Sequence, residues 1–304
     1  MHYRFVLLIL LFAMTWLPGL SLAQNAIEQN FAHDQPQIVI AHRSAEMAGS
    51  PENSLAWIEY GIGRGVDMVH INPQLTADGK YVLMHDPTLN RTTDVETAFP
   101  EGPPTGPTRE QRGGLDYVRD YTLEEIQRLH IVGAGDASTH KVPTLSEAID
   151  LVDGRTLIAL GLKSYEIDSL AQTLRPHDTK NLLLFELYFS GTDQSKLREL
   201  AEATGLGVGV ALFRSRDYLM DLEGILAQLG PHLRMVSVGS ARLTPEFLAR
   251  VEELHLHLAI SGWSNTEDSA LVDGDDPGPW LAVLNSGYSA MTDYPEVVLE
   301  LLSR

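Results

Sequence analysis

Residues 182–213 read LLLFELYFSGTDQSKLRELAEATGLGVGVALF. Leu182 to Phe189 is a mostly apolar run of strand length, Gln194 to Thr204 reads as a helix, and Gly207 to Phe213 is strand-like again. The same alternation extends in both directions. Upstream, Leu145 to Val152 reads as a helix, Thr156 to Leu162 as a strand and Asp168 to Leu174 as a helix. Downstream, helices at Leu219–Leu229 and Pro245–Leu254 alternate with strands at Met235–Val238 and Leu256–Ser261. A short helix at Trp280–Asn285, a strand around Ala290 and Met291, and a helix from Pro295 to Leu302 close the chain. Near the start, Ile38 to Ala41 is a strand. A helix over Pro51–Gly65 follows, with Ser50 as N-cap, Pro51 at its first position and Leu55, Ile58 and Ile62 as its apolar stripe. Asp67 to Leu75 and Tyr81 to Met84 are strands on either side of an Ala77-Asp78-Gly79 turn. Repeated short strands alternating with helices favour an α/β fold of the (β/α)8 TIM-barrel kind over a doubly wound sheet.

One stretch breaks the rhythm. From about residue 90 to 140 the pattern weakens. Phe99–Gly114 is rich in proline and glycine, and Thr122 with Glu125 forms a capping box for a short helix over Thr122–Leu129. This segment reads as an insertion with too little apolar content for a core of its own. The expected organisation is a single barrel domain over 24–304 with that insertion.

Of the 304 residues, 44% are hydrophobic and 21% charged, which suits a globular protein and excludes disordered and multi-span membrane classes. Acidic residues outnumber basic ones, 41 to 22, for a formal charge of −19. Such a surface repels a phosphate backbone, so nucleic acid is not an expected partner. The chain has no cysteine, which excludes disulfides, thiolate metal sites and a cysteine nucleophile. His2 and Arg4 precede the apolar run Phe5–Leu20, and Ser21 and Ala23 stand at small-residue positions. That order describes a secretory signal peptide cleaved after Ala23, with no stable membrane span afterwards. The mature protein is expected in the periplasm or outside the cell.

Barrel chemistry sits at the C-terminal ends of strands. The residues there are His42-Arg43, His70 and Asn72 on one strand face, His85-Asp86, and Lys163; Glu52 and Asn53 open the first helix. Two histidines, an arginine and a lysine on one rim suit a phosphate, with charge from Arg and Lys and proton transfer from His.

The segments IAHR, SPENSLAWIEYGIGRGVD, QLTADGKYVLMHDPTLNRTTD, VPTLSEAIDLV and MTDYP, in that order, resemble the glycerophosphodiester phosphodiesterase family. The resemblance implies a (β/α)8 barrel that hydrolyses glycerophosphodiesters to an alcohol and glycerol 3-phosphate, usually with Mg²⁺ or Ca²⁺. It implies His42 and His85 as acid–base pair, Arg43 and Lys163 on the substrate phosphate, and Glu52 in the metal set. It also places Trp263 near the pocket, with Asp86.

Three positions depart from that pattern. Where the family typically reads E-L-D, this chain reads His70-Ile71-Asn72; where it reads E-I-K, this chain reads Gly161-Leu162-Lys163. Mg²⁺ and Ca²⁺ want anionic oxygen ligands. The remaining set, Glu52, His70 and Asn72, suits them poorly, and nitrogen from His70 suits a transition metal better. Two rescues are conceivable: Glu186 swinging in as a ligand, or His70 joining His42 and His85 in a three-histidine site. The alternative to an enzyme is an inactive family member that binds a phosphate, a polyol or a protein partner. A glycoside hydrolase would need opposed carboxylates, for which only Glu52 and Glu186 are candidates.

Other features have plainer readings. His70 reads equally as a neutral ring filling the space of a lost ligand. His255 and His257 read as one polar face of a barrel strand, and Asp273, Asp275 and Asp276 as a solvated acidic loop. Gly205, Gly207 and Gly209 lead into a strand and not a helix, so they do not form a dinucleotide loop.

Overall fold

The computed structural model describes residues 31, 37–44, 47, 49–132 and 140–303. The expected signal peptide and its cleavage point lie outside the described residues. Among those residues, no helix is long and apolar enough to cross a membrane.

Eight parallel strands close into a barrel: β1 (Val39–Ala41), β2 (Met68–Ile71), β5 (Leu157–Gly161), β6 (Leu182–Tyr188), β7 (Val208–Leu212), β8 (Leu233–Val238), β9 (His257–Ser261) and β10 (Ser289–Thr292). The order around the barrel follows the chain, and β1 pairs with β10 to close it. β3 (Pro73–Leu75) and β4 (Tyr81–Leu83) form a separate antiparallel hairpin above β2. Alternation along each strand sorts the apolar residues into two layers. Ile40, Met68, Ala159, Leu183, Phe185, Ala211, Met235, Ala259 and Met291 fill the interior. Val39, Val69, Ile158, Leu184, Val210 and Val236 face outward onto the helices. His70 and Gly161, each two residues on from an interior residue, therefore sit on the inside.

Three differences from the sequence reading bear on the site. The first helix runs Leu55–Gly63 and is capped by Ser54, whose hydroxyl accepts from Trp57 N at 3.1 Å. Asn53 is left-handed (φ 58°), which keeps Pro51, Glu52 and Asn53 out of the helix. The strand expected over Asp67–Leu75 breaks at Asn72. A helix over Thr266–Gly274 occupies what read as polar loop. Its inward residues include the buried acids Glu267 and Asp268, so no apolar stripe announces it.

The insertion is better built than its composition suggested. Val82, Met84, Leu89, Val95, Phe99, Val118, Tyr121, Ile126, Leu129, Ile131 and Val142 form a satellite core. The insertion borrows the underside of the β3–β4 hairpin to complete it. The Thr122–Glu125 capping box is present.

His255 and His257 do not share a face. His255 precedes β9 in a left-handed conformation (φ 52°), and His257 starts the strand at the N-terminal end of the barrel. The His257 ring stacks on Phe31 at 4.2 Å, and its Nε2 is buried without a partner among the described residues. Burial lowers its pKa to about 4. It is neutral in the fold and protonates more readily in the unfolded chain, so its contribution is complete above pH 6.5 and is lost as pH falls toward 4. The limiting slope is about 1.4 kcal/mol per pH unit. In urea titrations between pH 7 and 4.5, His257→Leu is expected to lose stability less steeply than the parent; an equal slope would remove this assignment.

Candidate active site

His42 follows β1 and Asp293 follows β10. Pairing of Ala41 with Thr292 brings them together, and His42 Nδ1 lies 2.8 Å from Asp293 Oδ1. Ser44 Oγ donates to the same carboxylate oxygen at 2.7 Å. Asp293 is itself fixed from beneath: its backbone N–H donates to Asp268 Oδ2 at 2.8 Å. Asp268 also accepts from Trp280 Nε1 at 2.9 Å and Thr292 Oγ1 at 2.6 Å.

His85 follows β4 on the hairpin, with Nδ1 2.7 Å from Asp86 Oδ1. Its backbone carbonyl accepts from Gln74 Nε2 at 3.1 Å. Both histidines thus turn Nδ1 to a carboxylate, which leaves Nε2 as the ring nitrogen that the aspartates do not hold. They line one pocket of about 240 Å³ with Arg43, Lys163, Trp263 and Glu186. Two buried donors there, Arg43 Nε and Trp263 Nε1, have no partner among the described residues.

Arg43 and His85 are linked through a chain of charges. Arg43 Nη1 donates to Glu52 Oε2 at 2.7 Å, and Arg91 Nη2 to Glu52 Oε1 at 2.5 Å. Arg91 Nε donates to Asp86 Oδ2 at 2.5 Å. Burial would raise the Asp86 carboxyl, but hydrogen bonds from Arg91 and His85 outweigh it and bring it to about 2. Burial lowers His85 to about 4, against the pull of Asp86. Burial also lowers His42, opposed by Asp293, and lowers Lys163, helped by Arg43.

A family model for the glycerophosphoryl diester phosphodiesterase family matches residues 42–198, just over half of the chain. The chain belongs to that family. Among curated relatives, a glycerophosphodiester phosphodiesterase of Caldanaerobacter subterraneus subsp. tengcongensis is 32% identical over 130 residues, 42% of this chain and 45% of that one. Human glycerophosphodiester phosphodiesterase 1 is 33% identical over 114 residues, 36% and 28%. The chain thus matches less than half the length of these relatives. A glycerophosphoryl diester phosphodiesterase structure from Parabacteroides distasonis covers 90% of each chain at 22% identity and a TM-score of 0.65. A phosphodiesterase from Oleispira antarctica, in complex with the product sn-glycerol-3-phosphate, covers 88% of this chain and 98% of that one at 21% identity and a TM-score of 0.62. Both share the barrel fold.

The divalent metal that the family resemblance implies does not fit the residues present. Both Glu52 oxygens accept from arginines. The Asn72 amide donates to the Gly161 carbonyl at 3.0 Å, and its backbone N–H to Asn53 Oδ1 at 2.9 Å. His70 is buried, and burial, reinforced by His42 and Lys163, holds its pKa well below the usual imidazole value. Its Nδ1 has no partner among the described residues. The three-histidine alternative fails on geometry, since the His42 and His70 rings stack face to face at 5.4 Å. Glu186 is engaged by Ser195 Oγ, and burial raises its carboxyl. Among the described residues, no group of three or more His, Asp or Glu side chains is placed to hold a metal. The paired carboxylates of a glycosidase are not available either, because Glu52 is spent on arginines.

His70, Asn72 and Gly161 behave instead as one packed unit. A Cβ at position 161 would collide with His70 Nε2, His70 Cδ2 and Asn72 Nδ2. The imidazole occupies the space a side chain at 161 would need. Sequence reasoning passed over Asp293, Ser44 and Arg91. Asp293 and Arg91 lay inside the quoted MTDYP and HDPTLNRTTD motifs, but only barrel closure and the hairpin show what they hold. Gly161→Ala is expected to cost about 1–3 kcal/mol by overpacking, and His70→Ala in the same chain to recover the part that the imidazole causes, the Asn72 amide still crowding the new Cβ. Additive losses in a double-mutant cycle of unfolding free energies would show the two positions to be independent.

Proposed function

We propose that this protein is an exported phosphoric diester hydrolase acting on glycerophosphodiesters, with the phosphate held by cationic side chains. One arrangement carries the reading: two histidines, each anchored through Nδ1 to an aspartate, face a single pocket with Arg43 and Lys163. Family membership and the apolar leader support the substrate class and the location.

In this reading Arg43 and Lys163 bind the non-bridging phosphate oxygens. One histidine takes a proton from water as it attacks phosphorus. The other gives a proton to the alcohol oxygen as its bond to phosphorus breaks. The products are the alcohol and glycerol 3-phosphate. Asp293 and Asp86 orient the rings and stabilise whichever imidazole becomes charged.

Catalysis needs one histidine neutral and one protonated. Both are lowered from 6.5, His85 to about 4, so the kcat/KM bell for the free enzyme lies below pH 6.5. It falls on the acid side as the base protonates and on the alkaline side as the acid loses its proton. With the phosphate bound, both values rise, and the kcat profile moves to higher pH.

The test is hydrolysis of glycerophosphoglycerol and glycerophosphocholine by the purified protein, with chelator and then with added Mg²⁺, Ca²⁺, Mn²⁺ or Zn²⁺. Turnover is expected to persist in chelator, and His42→Ala and His85→Ala to lower kcat by about 10²–10⁴-fold. Turnover that appears only with a metal would overturn the cationic phosphate site. Glycerol 3-phosphate binding without turnover under any condition would make the protein a binding member of the family, a reading the uncharged His70–Asn72–Gly161 unit favours.

A further inference from the structure

The pocket between the histidines shares Ala211, Phe213 and Trp263 with a second cavity of about 370 Å³. That cavity lies on the same rim, between the segments that follow β7, β8 and β9. Arg214, Arg242, Tyr218 and Asn265 are on its wall, and among the described residues no carboxylate is. Eight other arginines pair with a carboxylate in this acidic chain: 43, 64, 91, 109, 112, 155, 198 and 250. Among the described residues, Arg214 and Arg242 have no such partner, as is also true of Arg119, Arg128, Arg175, Arg216 and Arg234, but Arg214 and Arg242 are the two that line this cavity.

Other contacts hold these two in place. Arg242 Nη1 donates to the Ser215 carbonyl. Ser215 Oγ donates to the buried Asp221 at 2.6 Å, which ties the β7 loop to the following helix. Tyr218 OH accepts from Gly239 N at 3.0 Å and joins the β7 and β8 loops. Arg214 takes a left-handed backbone (φ 59°), uncommon for a residue with a side chain, and its guanidinium lies 5.0 Å from the Phe213 ring centroid.

The wall between the cavities is a column of stacked rings. His42 stacks on Trp263 at 4.5 Å, and Trp263 on Phe213 at 5.4 Å with 11° between planes. The Arg214 guanidinium caps Phe213. The ring faces are covered, so a quaternary ammonium finds no open aromatic cage. An anion finds two guanidiniums with no carboxylate to displace.

We propose that the second cavity is the subsite for the alcohol half of the substrate, and that Arg214 and Arg242 select an alcohol bearing a second phosphate. This rests on the reading of the histidine pocket as a glycerophosphodiester site. A phosphodiester seated between His42 and His85 would extend its alcohol past the edge of the Trp263–Phe213 stack toward the two arginines.

The experiment compares bis(glycerophospho)glycerol, whose leaving alcohol carries a second phosphate, with glycerophosphocholine. The expected result is at least a tenfold kcat/KM preference for the former that shrinks with added salt. In the Arg214→Ala/Arg242→Ala protein the preference falls toward one, through a KM for the bis-phosphate raised at least tenfold. Arg214→Lys keeps the charge and is expected to keep most of the preference. A parallel calorimetric titration with glycerol 1,3-bisphosphate and glycerol 3-phosphate reads the subsite without turnover. Turnover with no preference, or a preference the double substitution leaves unchanged, overturns the subsite and leaves the hydrolase reading standing. Tighter bisphosphate binding that the substitutions abolish, in a protein that hydrolyses neither substrate, upholds the subsite and overturns the hydrolase reading. Binding of neither ligand overturns both.

Discussion

The site depends on closure of the barrel between its first and last strands. Val39, Ile40 and Ala41 pair with Ala290, Met291 and Thr292, residues some 250 positions away. That register alone places Asp293 beside His42. The contact is made secure by what lies behind it. Asp268 accepts from the Thr292 hydroxyl, the Asp293 backbone and the Trp280 indole, and burial raises its carboxyl. A buried carboxyl with three donors is tolerable where one with none would cost several kcal/mol. The last strand, the helix before it and the histidine on the first strand are thereby locked together.

The opposite wall is built by the hairpin, on a different principle. There Arg43, Glu52, Arg91 and Asp86 alternate in charge and end on the His85 ring, with contacts of 2.5–2.7 Å. Glu52 is needed in this chain whether or not a metal is present. It separates two guanidiniums that would otherwise repel across the pocket mouth. The sequence alone makes Glu52 look like the surviving fragment of a metal set. The geometry makes it the shared counter-ion of Arg43 and Arg91.

The barrel was legible because short apolar runs alternating with helices have few other solutions. The two histidines, Arg43 and Lys163 were legible because they terminate those runs. What could not be read depended on distant pairing. Asp293 is an ordinary acid in MTDYP until β10 meets β1. Arg91 is one charge in a polar stretch until the insertion folds back on the hairpin. Asp268 was hidden more thoroughly, since it lies on a helix whose buried face is acidic and carries no apolar period. The first helix was misjudged at its start because Pro51 is a good first-turn residue. The left-handed Asn53 overrides that preference to give Asn72 its backbone hydrogen bond.

The uncharged His70–Asn72–Gly161 unit changes what drives ligand binding. Three carboxylates there would offset Arg43 and Lys163 and would require a cation of their own. Without them, Arg43 and Lys163 share a pocket with two neutral histidines, and burial together with Arg43 lowers the lysine. Arg43 is already paired with Glu52 at 2.7 Å, whereas Lys163 makes no ion pair among the described residues. In the proposed reaction a phosphodiester anion would pair with Lys163 and share Arg43 with Glu52. At an effective dielectric of 20, one ion pair at 4 Å is worth about 4 kcal/mol. In the proposed reaction the anion would also raise the histidines it touches, so that binding would draw in the proton the acid catalyst must hold and join ligand capture to protonation. In that reading, acid–base chemistry without a metal depends on the tie of each histidine to its aspartate, His42 to Asp293 at 2.8 Å and His85 to Asp86 at 2.7 Å.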